Sequence, residues 1–289
     1  MKTMLKLALV AAAAVAAFGA HAQDFPAKDK TVTIVVPFAA GGPTDRVARD
    51  LAEALRKPLG ATVVVDNTAG AGSSIGAARV ARANPDGYTL LLNHIGMSTM
   101  PALYRKLSFS VPNDFEYLGM VNEVPMTLIA RPTMPANNFK ELTAWIQQNK
   151  GKINLGNAGQ GSASHQTTNT TSQIEGKKVK AYAVTTAKRL TTPALKDLPT
   201  LAESGLKDFN VSIWHGLYAP KGTPADVQKK INDALKVALK DPEFIKKQEA
   251  LGAVVITDKR IEGPEHKKFV AAEIDKWGAV IKAAGTYAD

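Results

Sequence analysis

The sequence predicts an α/β protein with parallel-rich sheets, and three observations carry that prediction. Strand-like runs of β-branched residues alternate with helical stripes along the first hundred residues. The 289 residues are enough for two ordinary domains and a sizeable core. Hydrophobic residues make up 45% and charged residues 21%, which suits a globular chain and not a disordered one.

The first 22 residues stand apart from the fold. Lys2 and Lys6 precede an apolar run over 7–18, and Ala20-His21-Ala22 is a small-x-small site. This is the pattern of a cleavable secretory leader, with cleavage expected after Ala22. The apolar run is shorter than the about 20 residues that span a bilayer.

The elements follow in order. Thr31–Val36 is a β-branched run suited to a strand buried on both faces. A Gly-Gly-Pro loop leads to a helix over 44–57, where Val47, Leu51 and Leu55 share one face. A second strand is expected over 61–65, then a small-residue helix to about Ala83, then a third strand over 89–92. This βαβαβ order calls for a parallel sheet. The middle repeats the scheme: a strand over 126–130, a helix over 138–148, a short strand over 153–155 and another over 179–184. An apolar run over 214–219 ends at Pro220. Three helices are expected after it, over 224–239, 242–251 and Gly263–Ala284.

The chain has no cysteine, which excludes a disulfide scaffold, a zinc–thiolate or iron–sulfur site and a thiol nucleophile. The net charge of +10 falls to +8 without Lys2 and Lys6. The basic residues form no stripe interleaved with aromatics, so nucleic acid is not expected as a partner. The excess favours anionic small molecules. The histidines lack metal-ligand spacing, so no metal is expected.

Three loops share one design. Loop one, 37–45, carries Phe38, Ala39, Gly42, Thr44 and Asp45. Loop two, 67–76, carries Gly70, Gly72, Ser73, Ser74, Ile75 and Gly76. Loop three, 156–165, carries Gly159, Gly161, Ser162 and His165. Each follows a strand with glycines and offers Ser or Thr where a helix could begin. A helix N-terminus leaves N–H groups unpaired, and with the macrodipole they attract an anion. Glycine lets backbone approach a ligand, and hydroxyls add donors. The loops therefore predict a site for a small anion, a carboxylate above all. The alternative for each loop is a turn with Thr44 or Ser73 as a simple helix cap. His94 and His165 are candidates for lining the site, and Phe38 for receiving a ligand's apolar body.

Other motifs are weaker. Gly70-Ala71-Gly72 with Gly76 imitates a dinucleotide fingerprint, but the last glycine comes one residue late and no acidic residue stands about 20 positions on. No cofactor is expected. Gly72-Ser73-Ser74-Ile75-Gly76 matches the nucleophile elbow of hydrolases, without the sharp strand-to-helix turn that the elbow needs. A secreted hydrolase using Ser74, or Ser162 with His165, is the competing class.

Residues 37–45, 61–76, 84–91 (Asn84-Pro85-Asp86-Gly87-Tyr88 onward), 114–117 and 214–224 (Trp214-His215-Gly216-Leu217-Tyr218 onward) together resemble the Bug family, the periplasmic solute receptors of tripartite tricarboxylate transporters. The resemblance implies a two-lobed, periplasmic-binding-protein-like fold. Lobe one would be 23–124 with 222–289, and lobe two 125–221. A small organic carboxylate would lie between them, held by Phe38, Ala39, Gly42, Thr44, Asp45, Ser73, Ser74 and Ile75 on one side. Gly159, Gly161, Ser162 and His165 would hold it on the other. The receptor would be a periplasmic monomer that delivers its ligand to membrane permease subunits.

One departure from the family pattern falls after loop three. The polar run 165–173 carries no apolar stripe and is a poor helix. About 40 residues, roughly one βαβ unit, are missing there by comparison with the family pattern. The junction lies near His165–Gln166. Lobe two is therefore expected to be incomplete, and a remnant unable to bind ligand is a third reading.

Overall fold

A computed structural model describes residues 25–153, 174–190, 193, 195–285 and 287–288. The expected leader, with cleavage expected after Ala22, and loop three lie outside the described residues.

The chain opens with β1 (Thr31–Val36), whose Val32, Ile34, Val35 and Val36 are buried. α1 (Pro43–Leu59) begins with proline at its first turn and ends on Gly60, whose positive φ of 65° closes the helix. β2 (Thr62–Asn67), α2 (Ser74–Ala81), β3 (Thr89–Asn93) and α3 (Gly96–Leu103) follow. β4 (Phe115–Pro125) runs directly into β5 (Thr127–Ala130). Then come α4 (Phe139–Gln148), β6 (Lys180–Val184) and β7 (Ser212–Pro220). α5 (Ala225–Ala238), α6 (Pro242–Ala250), the short β8 (Val254–Val255) and α7 (Gly263–Ala284) complete the order.

Among the described residues, six strands form one sheet in the order β2-β1-β3-β7-β4-β8, and β5 pairs with β6 in a second. β1 lies parallel to both β2 and β3, with Ile34 opposite Val65 and Leu90. The rest of the large sheet is antiparallel: β3 with β7, β7 with β4, and β4 with β8. The small sheet is antiparallel too. Among the described residues the expectation of parallel-rich sheets is thus corrected. β4 carries the chain out to the small sheet and β7 brings it back, so the two run oppositely and pair with each other. β7 lies by number within the 125–221 stretch, yet it is a strand of the large sheet.

Helices cover both faces of the large sheet. On one face Leu51 and Leu55 of α1, Ile231 and Leu235 of α5 and Phe244 of α6 pack on Ile34, Leu90, Leu92 and Leu217. On the other, Ala77 and Val80 of α2, Met97 and Met100 of α3 and Val270 of α7 pack on Val35, Leu91, Trp214 and Tyr218. Each fully buried large aliphatic side chain here contributes about 1.5–3 kcal/mol. The small sheet has its own cluster of Ala136, Leu142 and Tyr182, and Asn138 caps α4 by accepting from the Glu141 N–H.

Thr185 ties the two crossings between the sheets. Its N–H donates to the Met126 carbonyl at 3.0 Å, and its carbonyl accepts from the Val211 N–H at 2.9 Å. Its hydroxyl accepts from the Met126 N–H at 3.0 Å and donates to the Val211 carbonyl at 2.6 Å.

Candidate functional site

The parallel strands β1, β2 and β3 end side by side, and the turns that leave them form one edge of the sheet. This is the edge where ligands bind in open α/β sheets. Phe38, Ala39, Gly42, Thr44 and Asp45 lie on the turn after β1 and the start of α1. Ser73, Ser74 and Ile75 lie between β2 and α2, and His94 follows β3. Gly159, Gly161, Ser162 and His165 fall outside the described residues.

Loop one is organised from within. The Asp45 side chain is 2% exposed, and its Oδ2 accepts from the Gly41 N–H at 2.8 Å and Arg49 Nε at 2.9 Å. Its Oδ1 accepts from Asn67 Nδ2 at 3.0 Å, and the same amide donates to the Phe38 carbonyl. Burial pushes this carboxyl up, but the hydrogen bonds from Arg49, Gly41 and Asn67 outweigh it and hold the group below the usual carboxylate range. Asn67 at the end of β2 therefore joins the two loops.

The N-cap of α1 is Gly42, so Thr44 does not cap the helix. Ser73 occupies the N-cap position of α2, but its side chain makes no capping bond. Neither helix has a side chain capping its first turn, although the Ser74 N–H at the start of α2 donates to the Ala71 carbonyl.

Loop two holds four consecutive residues with positive φ: Gly70 at 137°, Ala71 at 42°, Gly72 at 57° and Ser73 at 86°. For Ala71 and Ser73 this conformation costs about 1–3 kcal/mol each, a strain typical of ligand clamps. The turn buries the Ser73 hydroxyl, which accepts from Asn93 Nδ2 at 3.4 Å. It also leaves Ile75 half exposed at 51% over Gly70. Gly76 brings the loops into contact: a Cβ there would stand 2.7 Å from Pro37 Cβ and 2.8 Å from the Thr68 carbonyl.

Aromatic rings floor the edge. Phe38 stacks on His94 with centroids 4.4 Å apart, and His94 meets His215 edge-on at 6.1 Å. The Gly96 N–H donates to His94 Nδ1 at 2.9 Å, so the neutral ring carries its proton on Nε2. Among the described residues no hydrogen bond joins Ser74 to a histidine or a carboxylate, as the elbow reading would need.

Beneath loop one runs a buried polar chain that sequence reasoning missed. Thr44 Oγ1 meets His215 Nε2 at 3.1 Å, and His215 Nδ1 meets Asn122 Oδ1 at 2.7 Å. Asn122 Nδ2 donates to Gln248 Oε1 at 2.8 Å, and Gln248 Nε2 donates to Asp50 Oδ2 at 2.9 Å. Its sequence signal is faint: single polar residues inside apolar strands, Asn122 in β4 and His215 in β7.

Three comparisons with known proteins bear on this edge. The solved structure of the periplasmic binding protein BugD superposes with a TM-score of 0.83 at 45% identity, over 90% of this chain and 99% of that one. The structure of MatC from Rhodopseudomonas palustris, with bound malate, gives a TM-score of 0.81 at 32% identity, over 88% of this chain and 99% of that one. The UPF0065 protein in the TAR-I ttuE-ttuC' intergenic region of Agrobacterium vitis is 41% identical across 96% of this chain and 91% of its own. Among the described residues no helix is long and apolar enough to cross a membrane. The family described as the tripartite tricarboxylate transporter family receptor matches residues 47–177 and 165–286. The fold and both matched stretches make this chain a member of that family of solute-binding receptors, whose action is binding and not catalysis.

Proposed function

We propose that the protein captures a small organic carboxylate in the periplasm, after cleavage behind Ala22, and passes it to the membrane subunits of a tripartite tricarboxylate transporter. The observation that carries this reading is the pair of uncapped helix N-termini at one sheet edge, above the stacked Phe38 and His94. Malate bound to the relative MatC supports the carboxylate class. The N–H group of Thr44 and the Ser74 hydroxyl supply donors, and Phe38, Ala39 and Ile75 give apolar contact. Gly42 keeps backbone accessible. Asp45 acts by shaping the loop, and Ser73 by holding the turn. Gly159, Gly161, Ser162 and His165 close over the ligand from the second lobe.

The lobes divide at the two crossings that Thr185 ties. Residues 23–124, β7 and 222–289 form lobe one. The rest of 125–221 forms lobe two, and the receptor acts as a monomer. Lobe two lacks about 40 residues, roughly one βαβ unit. Two facts support this. The alignment with the Agrobacterium vitis relative runs over 320 positions, more than the chain's 289 residues, so at least 31 stand opposite gaps in this chain. The family matches in two stretches that overlap at 165–177 instead of one continuous run.

The same length difference favours a second reading, a remnant with too little second-lobe wall to hold ligand. A thermal melt with malate, succinate, citrate and adipate decides between the two. At a hundred times Kd a ligand adds about 2.7 kcal/mol. That is a rise in Tm of roughly 5–10 °C for a chain this long. No rise with any acid overturns capture and leaves the remnant.

A further inference from the structure

The polar chain under loop one has a direction, and Asp50 sets it. An ionised carboxylate only accepts hydrogen bonds. Burial pushes the Asp50 carboxyl up, while Lys247 Nζ, 3.9 Å from Oδ1, the Gln248 amide and Arg46 favour the ionised form, which prevails at pH 8. Gln248 must therefore turn its Nε2 to Asp50 and its Oε1 to Asn122. Asn122 must then present Nδ2 to Gln248 and Oδ1 to His215. His215 is left to donate from Nδ1, so its neutral ring has a bare Nε2 facing the Thr44 hydroxyl. Thr44, Asn122, His215 and Gln248 are all at most 2% exposed, so water does not compete for these groups. In such a setting an unmade bond costs about 1–3 kcal/mol, which makes one orientation of the whole chain dominant.

The two ends of the chain belong to one helix. Thr44 and Asp50 sit on the first and second turns of α1, while Asn122 and His215 are register partners on β4 and β7. Those are the strands that lead to and from the second sheet. The helix N-terminus at the candidate site is thus bolted to the crossing strands through hydrogen bonds of fixed polarity.

We propose that His215 is a positioning residue: held as the Nδ1–H tautomer by Asn122, Gln248 and Asp50, it takes the Thr44 hydroxyl hydrogen and locks the first turn of α1 onto β4 and β7. The receptor reading supplies only its meaning for binding, because a locked turn has its N–H groups aimed before a ligand arrives.

The test uses the full chain without ligand. Histidine nitrogens labelled for NMR report the tautomer at pH 8. His215 is expected with Nδ1 protonated and Nε2 bare, and the reverse overturns the proposal. Asn122→Leu touches neither loop, yet it is expected to move His215 to the Nε2–H form. It should also speed hydrogen exchange of the Arg46 amide, bonded to the Gly42 carbonyl at 3.0 Å, at least tenfold relative to the amides of β1. Asp50→Asn, whose amide oxygen still accepts, should keep the wild-type tautomer, whereas Asp50→Ala should give a mixture. Unchanged exchange and tautomer in Asn122→Leu overturn the proposal. If that variant does not fold, Gln248→Met and the wild-type tautomer decide in its place. A failed carboxylate panel with the tautomer pattern intact would count against ligand capture and leave the lock standing.

Discussion

Asp45 serves the proposed ligand loop by facing inward. Both carboxylate oxygens are taken by the Gly41 N–H, Arg49 and Asn67. Asp45→Ala leaves the Gly41 N–H and the Asn67 amide without this acceptor and is expected to cost about 2–3 kcal/mol, the scale of one charged hydrogen bond. Urea unfolding measures it. Because folding lowers the Asp45 carboxyl, its stabilisation is present above the ordinary carboxylate range and lost as pH falls below it. Thr44→Val keeps the shape but leaves His215 Nε2 without its hydroxyl donor. A loss of about 1–3 kcal/mol is expected in the same experiment, together with weaker carboxylate binding by calorimetry. At this scale the sequence was legible in part. Glycines beside Phe38, Thr44 and Ser73 marked the loops, because such residues have few other reasons to cluster after a strand. Which polar group pairs with which was not legible. Asn67, Asn122 and Gln248 look like ordinary polar residues until strands 55 positions apart bring Asn67 and Asn122 under one loop.

The elements divide by the strength of their periodicity. α1, α5 and α7 carry clear apolar stripes and stand near their expected bounds. α3 was missed, because Gly96-Met97-Ser98-Thr99-Met100-Pro101 holds a proline and no polar face; it is buried on most sides, and burial erases amphipathic contrast. β4 was missed as well, with Gly119, Asn122 and two register shifts breaking its alternation. Those two omissions hid the antiparallel half of the sheet. The contact that brings the two loops of the proposed site together is also an element-scale fact. α2 approaches the β1 turn so closely at Gly76 that no side chain fits between Pro37 and the Thr68 carbonyl. Gly76→Ala is expected to cost about 1–3 kcal/mol through overpacking. It should also push the turns apart, lowering carboxylate affinity more than tenfold while Ala77 and Val80 stay packed. Circular dichroism with calorimetry separates these effects: retained helix content with lost binding is the expected result, and unchanged affinity would count against a shared site.

The whole molecule closes through its last helix. α7 lies on the face of the large sheet that α2 and α3 also cover, and the Ala288 N–H reaches the Leu103 carbonyl at the end of α3. At the start of α7, His266 is fully buried against β4 and β7. Its Nδ1 accepts from the Gly119 N–H at 3.2 Å, and its Nε2 meets the Tyr218 hydroxyl at 3.2 Å. Gly216 gives it room, since a Cβ there would stand 2.3 Å from Nε2. Burial without a carboxylate partner penalises the charged ring, and its pKa falls to about 3. The neutral ring is therefore part of the folded state, while an unfolded chain protonates near 6.5. The sign follows: this stabilisation is complete above pH about 6.5 and is lost as pH falls toward about 3. The slope is about 1.4 kcal/mol per pH unit, so about 2 kcal/mol disappears between pH 7 and pH 5. Urea midpoints across that range measure it. His266→Gln, which cannot titrate, is expected to be less stable at pH 7 and to lose less on acidification. An equal slope in both proteins would mean that His266 does not govern the acid response of the fold.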